Sequence, residues 1–290
     1  MWLNKPIQII REEFKVGIKF GCHTSTWVLD YDVEVDVIDQ IIETVSNSGF
    51  KGIDLQVALL GEYKNNPEKL KEKLDSKGIV LKALTVPFSW ENDKETAEER
   101  ERADFYIEYL THFPNSIMNL PSRNGPNRNN LLTRQIQIVN CANEVGKRAY
   151  EKGVVASFHP ASPENSYFRT AEDYKVLFEN LDTRYIGYTP DCGHIKAGNM
   201  EPLDIVKGSF QIIRHVHFKD CSNNLEWKKM GTGDIDFPAI VQFLHDNDYN
   251  GWIMVEEETE ETKDNPDAVI YDIADYIKKN IVPIVEGVKK

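Results

Sequence analysis

The sequence predicts a single (β/α)8 barrel filling residues 1–290. Eight short apolar runs alternate along the chain with eight stretches of helical spacing, and no Pro/Ser-rich linker or shift in composition divides it. The main competitor, a doubly wound open sheet, would want a glycine-rich phosphate loop after its first strand, and none is found there. A length of 290 residues suits one barrel of this kind.

Taken in order, Val16 to Cys22 reads as the first strand, and Val37, Ile38, Ile41, Ile42 and Val45 mark an amphipathic helix within 33–48. Gly49-Phe-Lys-Gly then leads into a second strand at 53–55. Pro67 to Lys77 is the next helix, stopped by Gly78. Strand three is 79–86, and a charged helix covers 95–113. Strand four is 116–120. A polar loop at 121–130 precedes a helix through about Lys152. Strand five, 154–158, ends at His159-Pro160. Thr170 caps a helix reaching Leu181, with Glu172 and Asp173 in the first turn, where the helix dipole favours them. Strand six is 185–189, followed by a short helix at 202–206. Strand seven is the apolar run ending in His215-Val-His-Phe-Lys-Asp220. Phe237 to Asp246 is helical until Asn250-Gly251, strand eight ends at Glu256, and 267–285 is a closing helix.

Hydrophobic residues at 41% and charged residues at 28% fit a soluble globular chain. A net charge of −13 argues against a nucleic-acid partner, because phosphate binding needs clustered cations. The N-terminus, Met1-Trp-Leu-Asn-Lys-Pro, lacks the pattern of a secretory signal, and no run is long enough to span a bilayer, so a cytoplasmic protein without a membrane partner is expected. Cys22, Cys141, Cys192 and Cys221 are widely spaced, which suits buried thiols better than a zinc knuckle or a disulfide framework.

In such a barrel the chemistry sits at the C-terminal ends of the strands. The last four strands end in His159, Asp191, His217 and Glu256. Two imidazoles and two carboxylates make a ligand set for one divalent ion, with nitrogen donors favouring Mn, Co, Zn or Fe over Mg. Taken singly, each of these residues could equally be a cap or a loop-ordering hydrogen bond. Residues two apart in a strand share a face, so His215, His217 and Lys219 lie on one side.

The motifs Asp191-Cys-Gly-His194, His217-Phe-Lys-Asp220, Gly231-Thr-Gly-Asp-Ile-Asp-Phe237 and Tyr249-Asn-Gly-Trp-Ile-Met-Val-Glu256 resemble those of the xylose isomerase-like sugar isomerase/epimerase superfamily. The resemblance is strong in the C-terminal half and is one of strand rhythm in the N-terminal half. It implies a divalent metal held by residues of the last four strands, which here maps onto Asp191, His217 and Glu256, and a pair of glutamates trading a proton with the substrate. The chain departs from that pattern at strand five, where His159 stands in place of a glutamate. The inosose dehydratase branch resembles it better, which implies loss of water from a keto-inositol, with Glu256 or His159 as base or acid and Lys219 or His194 in proton transfer or in positioning.

For contacts to a small polyhydroxylated carbonyl substrate, Trp27, Phe88 and Trp90 follow strands one and three, and Arg123 with Asn124 follows strand four; core packing and plain loop polarity are the competing readings. The acidic run from Glu257 to Glu261 reads as a solvated loop, because Glu256 and Glu257 face opposite ways. The rival functions are a ketose 3-epimerase or sugar isomerase, an abasic-site endonuclease, which would need further metal ligands, and a sugar-binding barrel without catalysis. A homo-oligomer is compatible with the sequence.

Overall fold

A computed structural model describes residues 17–287. The expected start of the first strand at Val16, and both chain ends of the expected 1–290 unit, lie outside the described residues.

Eight parallel strands form the wall: β1 (Lys19–His23), β2 (Gly52–Gln56), β3 (Val80–Thr85), β4 (Ile117–Pro121), β5 (Val155–His159), β6 (Ile186–Tyr188), β7 (Val216–Phe218) and, last in the chain, β10 (Trp252–Val255). They pair in the order β6-β5-β4-β3-β2-β1-β10-β7. Parallel bridges from Tyr188 to Ile213 and from Asp191 to His217 join the two outer strands, so the sheet curls back on itself. The fold is the expected (β/α)8 barrel.

The helices form where their ends are chemically marked. α1 (Ile38–Ser48) buries Ile38, Ile41, Ile42 and Val45 and ends at Gly49, whose φ of 93° closes the last turn without a Cβ penalty. α2 (Pro67–Lys77) starts on proline and ends at Gly78. α3 (Ala97–Leu110) opens with a capping box between Thr96 and Glu99. α4 (Leu131–Glu151) is the longest, and α5 (Ala171–Asn180) has a second capping box from Thr170 and Asp173. The expected helix at 33–48 begins five residues late, because 33–37 belong to the loop that leads from β1 into α1.

Three features depart from the expected elements, whereas the helix expected at 237–246 forms with those bounds. A short helix, α6 (Cys192–Ala197), follows β6 before α7 (Pro202–Ser209). Strand seven stops at Phe218, and the chain turns into a hairpin of β8 (Asp220–Cys221) with β9 (Trp227–Lys228). α8 (Phe237–Asp246) is capped by Asp236. A separate short α9 (Glu261–Asp264) precedes the closing helix expected at 267–285, which is broken into α10 (Pro266–Tyr276), a π turn at Ile277–Ile281 and α11 (Val282–Val285).

The core is the apolar shell between strands and helices, and all four cysteines are free and buried in it. Among the described residues, no helix is long and apolar enough to cross a membrane.

Candidate active site

The strand ends deliver their polar groups to one place. His159 closes β5, and Asp191 follows β6 in an extended conformation, where its Oδ1 accepts the backbone N–H of His194 at 2.8 Å and so caps α6. His217 lies in β7, its backbone N–H bonded to the carbonyl of Pro190 at 2.8 Å, and the N–H of Glu256 bonds to the carbonyl of Phe218 at 3.0 Å. Backbone pairing therefore fixes the height of three of these side chains.

At the centre, Asp191 Oδ2 lies 3.6 Å from His159 Nε2, 3.5 Å from Lys219 Nζ and 3.9 Å from His194 Nε2. Glu256 Oε1 lies 3.2 Å from Lys219 Nζ and 3.8 Å from His217 Nδ1. Its other oxygen accepts from Ser25 Oγ and sits 2.9 Å from His23 Nδ1. All of these side chains but that of His194 are buried.

Both ring nitrogens of His159, Oδ2 of Asp191 and Nδ1 of His217 are buried without a hydrogen-bond partner. Orphaned buried polar atoms are uncommon because each forfeits its hydration. Here they are lone-pair donors of the types that bind transition metals, and His159, Asp191 and His217 offer atoms within 4.8 Å of one another. The residues present therefore fit a divalent ion, with Glu256 at the edge of the set.

The charges around this point act on one another at close range. Burial opposes ionisation of Glu256, but the Lys219 ammonium and His23 more than offset it and hold the carboxyl well below its usual range. Asp191 is lowered despite burial, chiefly by the Lys219 ammonium. Burial and the neighbouring Lys219 push His194 down to about 3, so its ring is neutral. His217 behaves oppositely: burial disfavours its charge, yet the carboxylates of Asp54 and Glu256 raise it to about 10.

Lys219 is the hub. Its Nζ donates to Glu258 Oε1 at 2.7 Å and approaches His194 Nε2 at 3.0 Å, while it lies 4.7 Å from the centre of the Trp227 ring. Since an ammonium can only donate, His194 accepts at Nε2 and carries its proton on Nδ1, 2.8 Å from Ser162 Oγ. Trp227, half-buried on β9, also meets the His194 ring edge-on at 5.5 Å. The extra hairpin thus covers Lys219 with an aromatic face.

The expected substrate wall is spread more widely. Trp27 is half-buried, with its indole N–H bonded to Asp267 at 2.7 Å. Phe88 and Trp90 stack at 4.8 Å; Trp90 is wholly enclosed, so its ring lies in the packing rather than on the mouth. Arg123 forms a two-pronged pair with Asp32 at 2.6 and 2.7 Å. Phe88, Arg102 and Arg123 line a cavity of about 340 Å³ after β3 and β4, which none of the clustered residues reaches.

The acidic run is corrected too. Glu257 is 1% exposed, turned away from Glu256 to accept from Thr259 Oγ1 at 2.6 Å and from the N–H of Met230 at 3.3 Å. Glu258 faces the cluster. Its place two residues beyond Glu256, on the same face, was the signal for it. His23, Ser25 and Asp54 were missed as well: His23 ends β1 and caps the 3₁₀ turn Thr24–Thr26 that carries Ser25, whereas Asp54 has no local mark.

A parallel barrel whose strand ends gather imidazoles and carboxylates around unsatisfied donor atoms has a donor set of the kind that could hold a divalent ion. The chain is a member of the xylose isomerase-like TIM barrel family, whose model matches residues 42–280. Among its relatives is the inosose dehydratase of Clostridium tetani (strain Massachusetts / E88), 23% identical over 289 residues that cover 87% of this chain and 93% of that one. Among solved structures, the IOLI protein with a bound zinc atom superposes with a TM-score of 0.72 at 17% identity, covering 94% of this chain and 100% of that one. D-psicose 3-epimerase from Clostridium cellulolyticum H10, solved with D-tagatose, gives 0.67 at 18% identity, covering 90% and 99%. These relatives are enzymes of small sugars or cyclitols by name, or share the fold.

Proposed function

We propose that this protein is a metal-dependent lyase that removes water from a polyhydroxylated cyclic ketone of the keto-inositol class. The observation that supports the reading most is the convergence of unpartnered atoms of His159, Asp191 and His217, with Glu256 beside them, at the C-terminal mouth. Inosose dehydratases among the relatives point the same way. His159, Asp191, His217 and Glu256 would hold the ion, of which Zn, Mn, Co or Fe suits nitrogen donors better than Mg. Bound there, it would act as a Lewis acid on the substrate's carbonyl and neighbouring hydroxyl.

The chain's own residues supply the rest. Burial raises the Glu258 carboxyl above its usual range, despite Lys219, which makes it a stronger base than Glu256 for the proton alpha to the carbonyl. Lys219 Nζ holds protons opposite that carboxylate and can hydrogen-bond an oxygen that gains charge or departs as hydroxide. Neutral His194 orients the ammonium through Nε2. Trp227, whose ring face covers the Lys219 ammonium, would bound the space that a cyclitol enters.

The test is turnover of a panel of keto-inositols and ketoses, followed by the ultraviolet absorbance of the unsaturated ketone that water loss creates. Chelation should abolish activity and zinc or manganese should restore it. Epimerised or isomerised product without water loss, or full activity in metal-free protein, overturns the proposal.

A further inference from the structure

Beneath the mouth the barrel interior contains a closed ring of hydrogen bonds contributed by five strands or their ends. Thr85 Oγ1 meets Asp54 Oδ1 at 2.8 Å, Asn119 Nδ2 meets Thr85 Oγ1 at 3.1 Å, and Thr189 Oγ1 meets Asn119 Oδ1 at 3.2 Å. His215 Nδ1 lies 3.4 Å from Thr189 Oγ1, and His215 Nε2 returns to Asp54 Oδ2 at 3.1 Å. His217 Nε2 closes a triangle with these last two atoms, 3.0 Å from His215 Nε2 and 2.9 Å from Asp54 Oδ2.

The sense of this ring follows from a group that only accepts. The Asp54 carboxylate has no proton, so Thr85 donates to it and must in turn accept from Asn119. That turns the Asn119 carbonyl oxygen toward Thr189, which commits the one Thr189 proton. Ser157, 2.6 Å from Thr189 Oγ1, then donates to it. His215 Nδ1, facing an oxygen whose proton is spent, carries the hydrogen and donates. With its hydrogen placed on Nδ1, the His215 imidazole turns Nε2 as an acceptor toward His217 Nε2. Of the three atoms in the triangle, a proton on His217 Nε2 alone satisfies both His215 Nε2 and Asp54 Oδ2.

The geometry points to a positioning device: the ring holds the proton on His217 Nε2 in place, so that Nδ1, the imidazole's one unpartnered atom, is the nitrogen that gives up its proton in favour of a divalent cation at the mouth. Asp54, Asn119, Thr189 and His215 are thus positioning residues that touch neither ion nor substrate. A carboxylate behind a ligating imidazole also strengthens it as a donor. The alternative is that Asp54, His215 and His217, three donors within reach of one point, take the ion themselves through Nε2. This inference rests on the metal site of the proposed function.

The experiment measures zinc affinity of the full chain by competition with a chromophoric chelator, together with long-range 1H–15N spectra of the zinc-loaded protein, His217 being assigned through His217→Gln. The expected result is a proton on Nε2 and zinc on Nδ1 in the wild type. Asp54→Asn should weaken zinc binding by about ten- to a hundredfold. Thr189→Val should weaken it in the same direction while Thr189→Ser matches the wild type, which separates a lost acceptor from a general packing defect. His215→Phe should still bind zinc. Zinc on Nε2, or binding abolished by His215→Phe, overturns the inference and places the ion in the inner triangle. Wild-type affinity in both Asp54→Asn and Thr189→Val overturns it alone, whereas a wild-type chain that binds no zinc overturns the proposed function as well.

Discussion

Replacing Lys219 with methionine should destabilise the metal-free protein in a pH-dependent way. The side chain is 1% exposed and faces three carboxylates, at 2.7 Å from Glu258, 3.2 Å from Glu256 and 3.5 Å from Asp191. Methionine fills much the same volume, so the loss is chiefly electrostatic. Stranding a buried charge by deleting its partner is worth about 3–5 kcal/mol. An independent bound agrees: a stranded carboxyl can take up a proton instead, which costs roughly 3.4 kcal/mol at pH 7 for an ordinary pKa near 4.5. The same step costs about 0.7 kcal/mol at pH 5.

The sign follows from linkage. Lys219 helps to hold Glu256 and Asp191 below their ordinary values, so the stability they contribute is present above the unfolded carboxylate pKa and disappears as pH falls through the folded one. In the variant those carboxyls titrate higher, and its deficit must shrink from pH 7 to pH 5. At roughly 2 °C per kcal/mol for a chain this long, thermal unfolding in chelator at pH 7 should fall by about 6–10 °C, and by markedly less at pH 5. Zinc at saturating concentration should narrow the gap, since it supplies the missing positive charge. A fall below about 2 °C, or an equal fall at both pH values, refutes the electrostatic reasoning.

Three further outcomes follow from other parts of the molecule. Trp227→Ala removes the ring over Lys219 and should raise KM for a cyclitol severalfold or more while leaving metal affinity unchanged; steady-state kinetics beside the chelator competition separate the two. Gly231→Ala drives a Cβ into the Tyr276 ring at a φ of +86°, so about 2 kcal/mol or more should be lost in denaturant unfolding. Lys82, which donates to the Asn115 carbonyl at 2.6 Å, is pushed down to about 8 by burial against an ordinary 10.5. Between those values the unfolded chain binds more protons, so wild-type stability relative to Lys82→Met should rise with pH in that window; a flat or falling difference in urea unfolding contradicts the assignment.

What could be read from the sequence divides according to how far apart the interacting residues lie. The barrel was legible because each β/α unit announces itself locally, through Gly49 and Gly78 at helix ends or Thr170 with Asp173 at a helix start. The hairpin at Asp220–Lys228 was not, since two-residue strands carry no period; Asp220 builds its base instead, accepting the N–H groups of Gly231 and Gly233 at 2.8 and 3.0 Å. At the mouth, His159, Asp191, His217 and Glu256 could be named because barrel topology alone brings strand ends together. Asp54 could not, for it sits in an apolar run, Gly52-Ile-Asp-Leu-Gln56, and its partner His217 is 163 residues away. Glu258 is the instructive case, because the alternation that excluded Glu257 from the inner face required Glu258 to return to it. A solvated acidic run and a buried one have the same composition, and only the cation opposite distinguishes them: Lys219, two residues beyond His217, already lay on the inward face of its own strand. Charge on one strand end thus predicts the complementary charge on its neighbour, and a fully buried lysine in a barrel mouth calls for carboxylates close enough to keep it ionised.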